Sequence, residues 1–339
     1  MWIKSIIQGR LEFGNAKSYE KVVKMFNYRT ENYHKNDILF KEEDIFFEDG
    51  FYMDLKRFVG QVTQKSYKNT MNLLGYCAQF AISGSIDGWL TDSGTVLAHS
   101  HVEPKSDKAV VQFFQRGKKL VKTQGEQEEA IKQLTKAIEK YDRHAQAYER
   151  RAKVNFILKN YHDALRDYNK SLGVDDTNPA AYYGRGKVHM INENWKEAAS
   201  DFDMATKKSI ALQSIYWKSR RLKADCHIHL KEYKKAAFDL KLFSNRSFDK
   251  DNPNLKWMSY IQFQYGKVLI ELEEYEEAIK AFDASLEERS KFDEIPEKEK
   301  YFYRGLAKKK AGKNGSIKDI KMAKELGFEN AEKLAAQMV

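Results

Sequence analysis

The chain has 339 residues, of which 42% are hydrophobic and 32% are charged, and its formal net charge is +10. These proportions exclude an intrinsically disordered chain, and no apolar run approaches the roughly 18 residues that a membrane span requires. The charge excess lies wholly after residue 108, because residues 1–108 hold 14 basic and 14 acidic residues. Such a basic surface attracts acidic partners, whether peptide, nucleic acid or membrane, without selecting among them.

The N-terminal segment and the cysteines bear on the cellular compartment. Lys4, Gln8 and Arg10 interrupt the apolar residues of the first segment, so a signal peptide is not expected. The two cysteines, Cys77 and Cys226, fall inside apolar helical patterns, which does not favour a disulfide framework. We therefore expect a cytoplasmic protein in a reducing environment.

Residues 1–103 alternate between extended and helical character. Apolar residues recur at helical spacing in two stretches, and β-favouring residues separated by turn signals fill the rest. The extended stretches are Trp2–Phe13, Asp37–Phe47, Phe51–Val59 and the two sides of a turn at Thr91–Gly94. The second helical stretch should bury Tyr67, Met71, Leu74 and Ala78. The order β-α-β-β-α-β-β predicts a two-layer α/β domain, with two helices on one antiparallel sheet.

Two histidines in this region could carry chemistry. His99 and His101 stand two apart on a predicted strand, so their side chains point to the same face and could begin a metal site. No third ligand is obvious nearby, and a structural zinc site takes four. Ser93 lies in a tight turn, where serine is normally a turn former. We favour an edge strand with a polar face, and an enzyme or metal-binding protein with its site in this domain is an alternative.

From residue 108 onward, a period of 34 residues governs the sequence. Six positions return in the same order: Tyr148 and Tyr182, Ala152 and Gly186, Tyr161 and Trp195, Ala164 and Ala198, Tyr168 and Phe202, and Ser171 and Ala205. Self-similarity at a fixed period is typical of repeat proteins. The alternation of aromatic and small residues resembles the tetratricopeptide repeat, a helix–turn–helix unit. The resemblance implies an all-α solenoid over 108–339, and the whole chain is expected to be α+β.

The resemblance extends to about six helix pairs. Larger offsets before the fourth and fifth repeats predict lengthened first helices, or a longer loop around Ser244–Asn254. The sixth repeat is degenerate but keeps Gly305 and Ala323. A capping helix is expected over Glu329–Met338, where the apolar stripe consists of Ala331, Leu334, Ala335 and Met338. The prolines support this division, since Pro104, Pro179, Pro253 and Pro296 all precede or begin first helices.

Members of this family are mostly non-enzymatic scaffolds that hold a partner in a concave groove lined by first helices. In the family, the position after the small residue of the first helix faces that groove. It is occupied here by Lys118, Lys153, Lys187 and Lys267, and by Asp225 in the fourth repeat. Four positions earlier stand Phe114, Glu149, Tyr183, Arg221 and Phe263. We expect the lysines, with Phe114, Tyr183 and Phe263 beside them, to bind an acidic extended peptide.

Other interpretations stay open at this stage. The lysines could equally serve solubility, and the same basic surface could belong to an adaptor that binds nucleic acid. We predict a scaffold or adaptor without cofactor, metal or catalytic residues.

Overall fold

The computed structural model describes residues 2–35, 37–288, 295–329, 331, 333 and 336. The chain forms two compact units, Met1–Thr177 and Asn178–Val339. In the described ranges, the first unit contains a sheet followed by two helix pairs, and the second contains four helix pairs. None of the helices in these ranges combines the length and the apolar character needed to cross a membrane.

The first 102 residues build the sheet. Its elements are β1 (Trp2–Glu12), α1 (Ala16–Asn32), α2 (Glu42–Ile45), β2 (Phe46–Phe47), β3 (Tyr52–Thr63), α3 (Gln64–Ala78), β4 (Ser83–Asp92) and β5 (Thr95–Val102). The strands pair antiparallel in the order β2-β3-β1-β4-β5. The predicted antiparallel sheet with two long helices is therefore confirmed. The order β2-β3-β1-β4 is that of the split βαβ motif, and β5 extends it at one edge.

The core of the sheet lies on the face that α1 and α3 cover. Side chains alternate between the two faces of a strand, and Ile7 and Leu11 of β1 point to the buried face. Helix α1 contributes Val22 and Phe26 to the same cluster. Helix α3 buries the four residues predicted for it, Tyr67, Met71, Leu74 and Ala78.

The extended stretch predicted at Asp37–Phe47 is shorter than expected. Only Phe46–Phe47 pairs with a neighbouring strand, and the acidic residues before it begin the short helix α2. The segment before α2 is held by side chains of α3 instead. The Leu39 N–H donates to Thr70 Oγ1 at 3.1 Å, and the Asp37 carboxylate accepts a hydrogen bond from Ser66. These bonds replace the partner strand that an extended segment would need.

The first unit also contains two helix pairs. These are α4 (Ala109–Leu120) with α5 (Gln127–Lys140), and α6 (Ala145–Ile157) with α7 (Tyr161–Val174). The sheet is bonded to the second pair and to the turn before it. The Gly84 N–H donates to Gln146 Oε1 at 3.2 Å, and Tyr141 OH donates to Glu12 Oε2 at 3.1 Å. The predicted division into a domain at 1–103 and a repeat domain at 108–339 stays a prediction.

The second unit contains four helix pairs. These are α8 (Pro179–Ile191) with α9 (Trp195–Lys208), α10 (Ser214–His229) with α11 (Tyr233–Ser244), α12 (Met258–Glu271) with α13 (Tyr275–Glu287), and α14 (Glu297–Lys310) with α15 (Ser316–Glu325). Helix α10 has 16 residues where α8 has 13. A loop and a 3₁₀ turn at Leu255–Trp257 precede α12. The larger spacing before the fourth repeat is therefore explained mainly by a longer first helix. The larger spacing before the fifth repeat is explained by an inserted segment.

The predicted capping helix at Glu329–Met338 lies largely outside the described residues. Residues 330, 332, 334, 335 and 337–339 are not described, and these include three of the four positions of the predicted apolar stripe. The fourth, Ala331, is buried against Phe302 and Ile320.

Small residues bring the two helices of each pair together. A β-carbon at Gly186 would lie 2.9 Å from the Phe202 ring, and one at Gly266 would lie 2.7 Å from the Phe282 ring. Both distances are shorter than van der Waals contact, so the aromatic side chain of the second helix occupies the space that glycine leaves. This explains why small residues and aromatics recur with the same period.

Candidate functional site

The position after the small residue of each first helix was predicted to face a partner. We call Lys118 of α4, Lys153 of α6, Lys187 of α8 and Lys267 of α12 the first-helix lysines. All four are half-buried in the structure. Lys118 and Lys153 belong to the first unit, and Lys187 and Lys267 belong to the second.

Lys118 is bound to a carboxylate from the segment that precedes the array. Its ammonium donates to Glu103, which also lies 3.5 Å from His101 Nε2. Hydrogen bonds from His101 and then from Lys118 lower the pKa of Glu103 to about 2. Glu103 is therefore ionised at neutral pH and pairs with a cationic lysine.

Lys153 is a cation in surroundings that disfavour its charge. Burial lowers the pKa of Lys153, and Arg150, on the same helix, lowers it further. Glu149 lies beside Arg150, with the Arg150 Nε 3.1 Å from Glu149 Oε2. A second carboxylate at this point would stabilise the charged form of Lys153.

Lys267 and Tyr183 belong to the second unit. The Lys267 ammonium lies 5.1 Å from the centroid of the Tyr303 ring and 5.7 Å from that of Phe263. Tyr183 is half-buried, and its ring centroid lies 5.9 Å from that of Phe202. Burial raises the pKa of the Tyr183 hydroxyl.

Two of the predicted aromatic contacts are wrong. Phe114 is 6% exposed and Phe263 is 2% exposed, so neither side chain can offer a surface to a partner. The physical reason is that these positions pack successive first helices together. Phe114 of α4 lies against His144 at the start of α6, and Phe263 of α12 contacts Tyr303 of α14.

The fourth repeat interrupts the series of lysines with a paired acid. Asp225 Oδ1 accepts a hydrogen bond from Tyr260 OH at 2.9 Å, and Asp225 Oδ2 lies 3.5 Å from the Arg221 guanidinium. Arg221 in turn lies over the Trp257 ring, 3.9 Å from its centroid. Burial raises the pKa of Asp225, whereas Arg221 and the Tyr260 hydrogen bond oppose that rise. This cluster holds α10 against the segment that begins α12.

Sequence reasoning missed a buried arginine–aspartate pair that recurs inside the helix pairs. Arg151 donates from two nitrogens to Asp167 at 2.8 and 2.9 Å, and Arg185 does the same to Asp201 at 2.8 and 2.7 Å. Arg304 and Asp319 repeat the arrangement in the sixth pair. The repeat period could have revealed this pair. Arg151 and Arg185 are 34 residues apart, and so are Asp167 and Asp201. Two-point pairing with a buried carboxylate fixes the relative position of the two helices.

The two histidines of β5 are engaged with carboxylates. Asp87 Oδ1 lies 3.0 Å from His99 Nε2 and 2.9 Å from His101 Nδ1. Hydrogen bonds with Asp87 and then Glu103 raise the pKa of His101 to about 9. A protonated imidazole is not a metal ligand. Within the described residues, no group of three or more His, Cys, Asp or Glu is placed to hold a metal ion.

Comparisons with known proteins agree with the helix pairs. Models of the tetratricopeptide repeat match residues 122–179, 158–211 and 259–292. No curated protein sequence is significantly similar to the chain. One similar solved structure is YrrB, described as a TPR protein with an unusual peptide-binding site. YrrB is 22% identical to this chain, with a TM-score of 0.51. The match covers 61% of this chain and 98% of YrrB. Another is PilF of Pseudomonas aeruginosa, with 17% identity, coverage of 68% and 98%, and a TM-score of 0.50.

At these identities, the two structures show the fold alone. The family models match only positions within the helical array, and none of them matches the sheet. The period of 34 residues, the paired helices and the packing of small residues against aromatics agree with those matches. Residues 122–211 and 259–292 of the chain are therefore tetratricopeptide repeats.

Proposed function

We propose that this protein is a scaffold that binds a partner protein, with the first-helix lysines contacting carboxylates of an extended acidic segment. Tetratricopeptide repeats stack into extended surfaces that bind proteins, so the general role follows from the architecture.

The observation that supports it best is the pair formed by Lys118 and Glu103. Glu103 begins the non-helical segment 103–108, and its carboxylate accepts a hydrogen bond from the Lys118 ammonium. One first-helix lysine thus already holds a carboxylate from an extended stretch of chain. A partner segment of similar character would repeat this contact at the other positions.

Two more first-helix lysines have surroundings suited to an acidic guest. Burial and Arg150 lower the pKa of Lys153, so a guest carboxylate would relieve an unfavourable local charge. Lys267 is held beside the Tyr303 ring, which limits the positions that its ammonium can take. An ordered cation loses less side-chain entropy when it binds.

The proposal can be tested with a fluorescent Asp/Glu-rich peptide and the full chain. The triple variant Lys118→Glu/Lys153→Glu/Lys187→Glu should weaken binding about tenfold or more, because it replaces attraction with repulsion. The matched control is Lys132→Glu/Lys170→Glu/Lys280→Glu, which makes the same charge change at exposed positions of second helices. Helical circular dichroism would verify that both variants fold.

Equal losses in the two variants would show that net charge alone drives binding, and the proposal would fail. Single-stranded RNA provides a second arm of the experiment. If RNA binds more tightly than the peptide and its affinity falls steeply with salt, the surface is a nucleic-acid surface.

A further inference from the structure

One second helix of the array carries an exposed apolar pair. Phe238 and Leu242 of α11 are 61% and 38% exposed. They stand four residues apart, so they lie on the same face of the helix. The inward face of α11 is supplied by other residues, since Ala236, Leu240 and Phe243 are buried. The packing of this helix pair therefore does not require an apolar residue at position 238 or 242.

The corresponding positions in the other repeats are mostly charged or polar. They lie two and six residues after the buried alanine of the second helix, which is Ala236 in α11. The residues there are Lys132 and Lys136 in α5, Arg166 and Lys170 in α7, Ser200 and Met204 in α9, and Lys280 and Ala284 in α13. The fold thus tolerates polar side chains at both positions, and the aromatic–aliphatic pair is particular to the fourth repeat.

A pocket opens beside Phe238. It has a volume of about 640 Å³ and lies among α9, α10 and α11, within the second unit. Ala199, Leu230 and Phe238 supply its apolar lining. Pockets that bind ligands or side-chain anchors commonly have volumes of this order.

The acidic groups of the pocket are already neutralised. Lys223 Nζ lies 3.1 Å from Asp203 Oδ1 and 3.1 Å from Asp239 Oδ2. Asp239 also pairs with Arg220, and Glu232 accepts from Lys235 at 2.9 Å. These internal pairs leave no acidic group of the pocket available to attract a basic guest.

The rim carries cations that face solvent. Lys196 of α9 and Lys234 of α11 are exposed, and neither forms an ion pair with any residue that the structure describes. These two charges flank an apolar surface. A guest that pairs with the charges and also covers the apolar surface must combine carboxylates with an apolar side chain. A nucleic acid would supply the charge but no aliphatic side chain to fill the apolar lining.

We infer that α9, α10 and α11 form a second binding site, separate from the first-helix lysines, for an acidic segment of a partner protein with an apolar anchor. The anchor enters the pocket beside Phe238 and covers Leu242. Carboxylates on either side of the anchor meet Lys196 and Lys234. The scaffold then holds two different partner segments, one on its first helices and one on this site.

The test uses a displayed library of short peptides selected on the full chain. The key variant is Phe238→Arg/Leu242→Lys, which gives α11 the two residues that α7 carries at these positions. Because both wild-type side chains are exposed, the variant is expected to keep its helical circular dichroism. Lys132→Ala/Lys136→Ala is the matched control at the same positions of α5.

The expected result is enrichment of peptides that carry Leu or Phe between Asp or Glu residues. A synthetic peptide with an enriched sequence should bind the key variant at least about tenfold more weakly than the wild type, as expected for loss of an interface anchor. It should bind the control variant with the wild-type affinity. Lys196→Glu/Lys234→Glu should also weaken it, whereas Lys187→Glu/Lys267→Glu should not. Loss in the last variant alone would place the peptides on the first-helix lysines and overturn this inference without touching the proposed function.

Three other outcomes would overturn the inference. One is that no enriched peptide distinguishes the wild type from the key variant. Another is that sedimentation shows a concentration-dependent dimer that the key variant abolishes, which would assign the surface to a second copy of the chain. The third is that single-stranded RNA, and no acidic peptide, loses affinity in the key variant.

Discussion

The imidazole of His144 lies against the ring of Phe114, with 4.6 Å between their centroids, and it is completely buried. His144 also caps α6, because its Nδ1 accepts a hydrogen bond from the Ala147 N–H at 3.3 Å. Its Nδ1 lies 3.1 Å from the Ser83 hydroxyl of the sheet. One neutral imidazole therefore joins the sheet, the first helix pair and the start of the second.

This arrangement makes stability depend on pH. Burial lowers the pKa of His144 to about 3, well below the ordinary histidine value of 6.5. The folded state thus binds fewer protons than the unfolded state between these values, so stability is complete above pH 6.5 and falls as the pH drops toward 3. The loss at pH 5 relative to pH 7 should be about 2 kcal/mol.

Urea unfolding at several pH values checks this prediction. The variant His144→Asn keeps a capping oxygen for the Ala147 N–H but does not titrate. The difference between its unfolding free energy and that of the wild type should therefore change with pH below 6.5. If the two proteins lose stability in parallel, His144 is not responsible for the acid sensitivity.

Glu103 should compete with an acidic guest for Lys118. Replacing it by Gln removes the internal charge but keeps the shape, so the affinity of the chain for an Asp/Glu-rich peptide should rise roughly twofold to fivefold. Glu128→Gln, at an exposed position of α5, changes the net charge equally and is the control. Fluorescence anisotropy titrations measure both affinities. If both variants gain the same affinity for the peptide, the change in net charge explains the effect and competition by Glu103 does not.

Two glycines should respond to alanine in opposite directions. A methyl at Gly266 would lie 2.7 Å from the Phe282 ring, so Gly266→Ala should destabilise the second unit by about 1–3 kcal/mol. Gly173, in α7, has no atom within 4 Å of an added methyl. Gly173→Ala should stabilise the protein by about 0.5–1 kcal/mol through helix propensity. Thermal unfolding of the two variants measures both effects, and a stabilised Gly266→Ala would contradict the packing described here.

The Arg151–Asp167 pair should be costly to break on one side only. The Asp167 side chain is 2% exposed, so Arg151→Met leaves a buried carboxylate without its partner and should cost about 3 kcal/mol. The double variant Arg151→Leu/Asp167→Leu should recover most of that loss, because no buried charge is left. Urea unfolding of the two variants and the wild type provides the comparison, and a double variant no more stable than Arg151→Met would argue against a coupled pair.

The residues that could be predicted from sequence are those whose role depends on local spacing. Gly186 and Phe202 pack within one helix pair, so their period reveals both partners. The four buried residues of α3 follow a helical period in the same way. The sequence also indicated the antiparallel sheet, because its strands are separated by turn signals that are themselves local.

What could not be predicted depends on contacts between distant segments. Thr70 and Ser66 hold the stretch before β2, and nothing near Asp37 indicates that these side chains will replace a strand. Phe114 and Phe263 look like groove residues when each helix is read alone. Only the packing of one first helix on the next shows that they are buried. The Arg151–Asp167 pair was visible as a period but lacked a distinctive residue type.

The hydrogen bonds between the sheet and the second helix pair have a practical consequence for anyone who shortens this protein. A fragment cut between residues 103 and 108 would leave Tyr141, His144 and Gln146 facing water without the groups that they contact in the sheet. The solubility and folding of such a fragment would then depend on this newly exposed surface as much as on the helix pairs themselves. Cutting after Thr177 instead keeps every one of these contacts inside a single expressed piece.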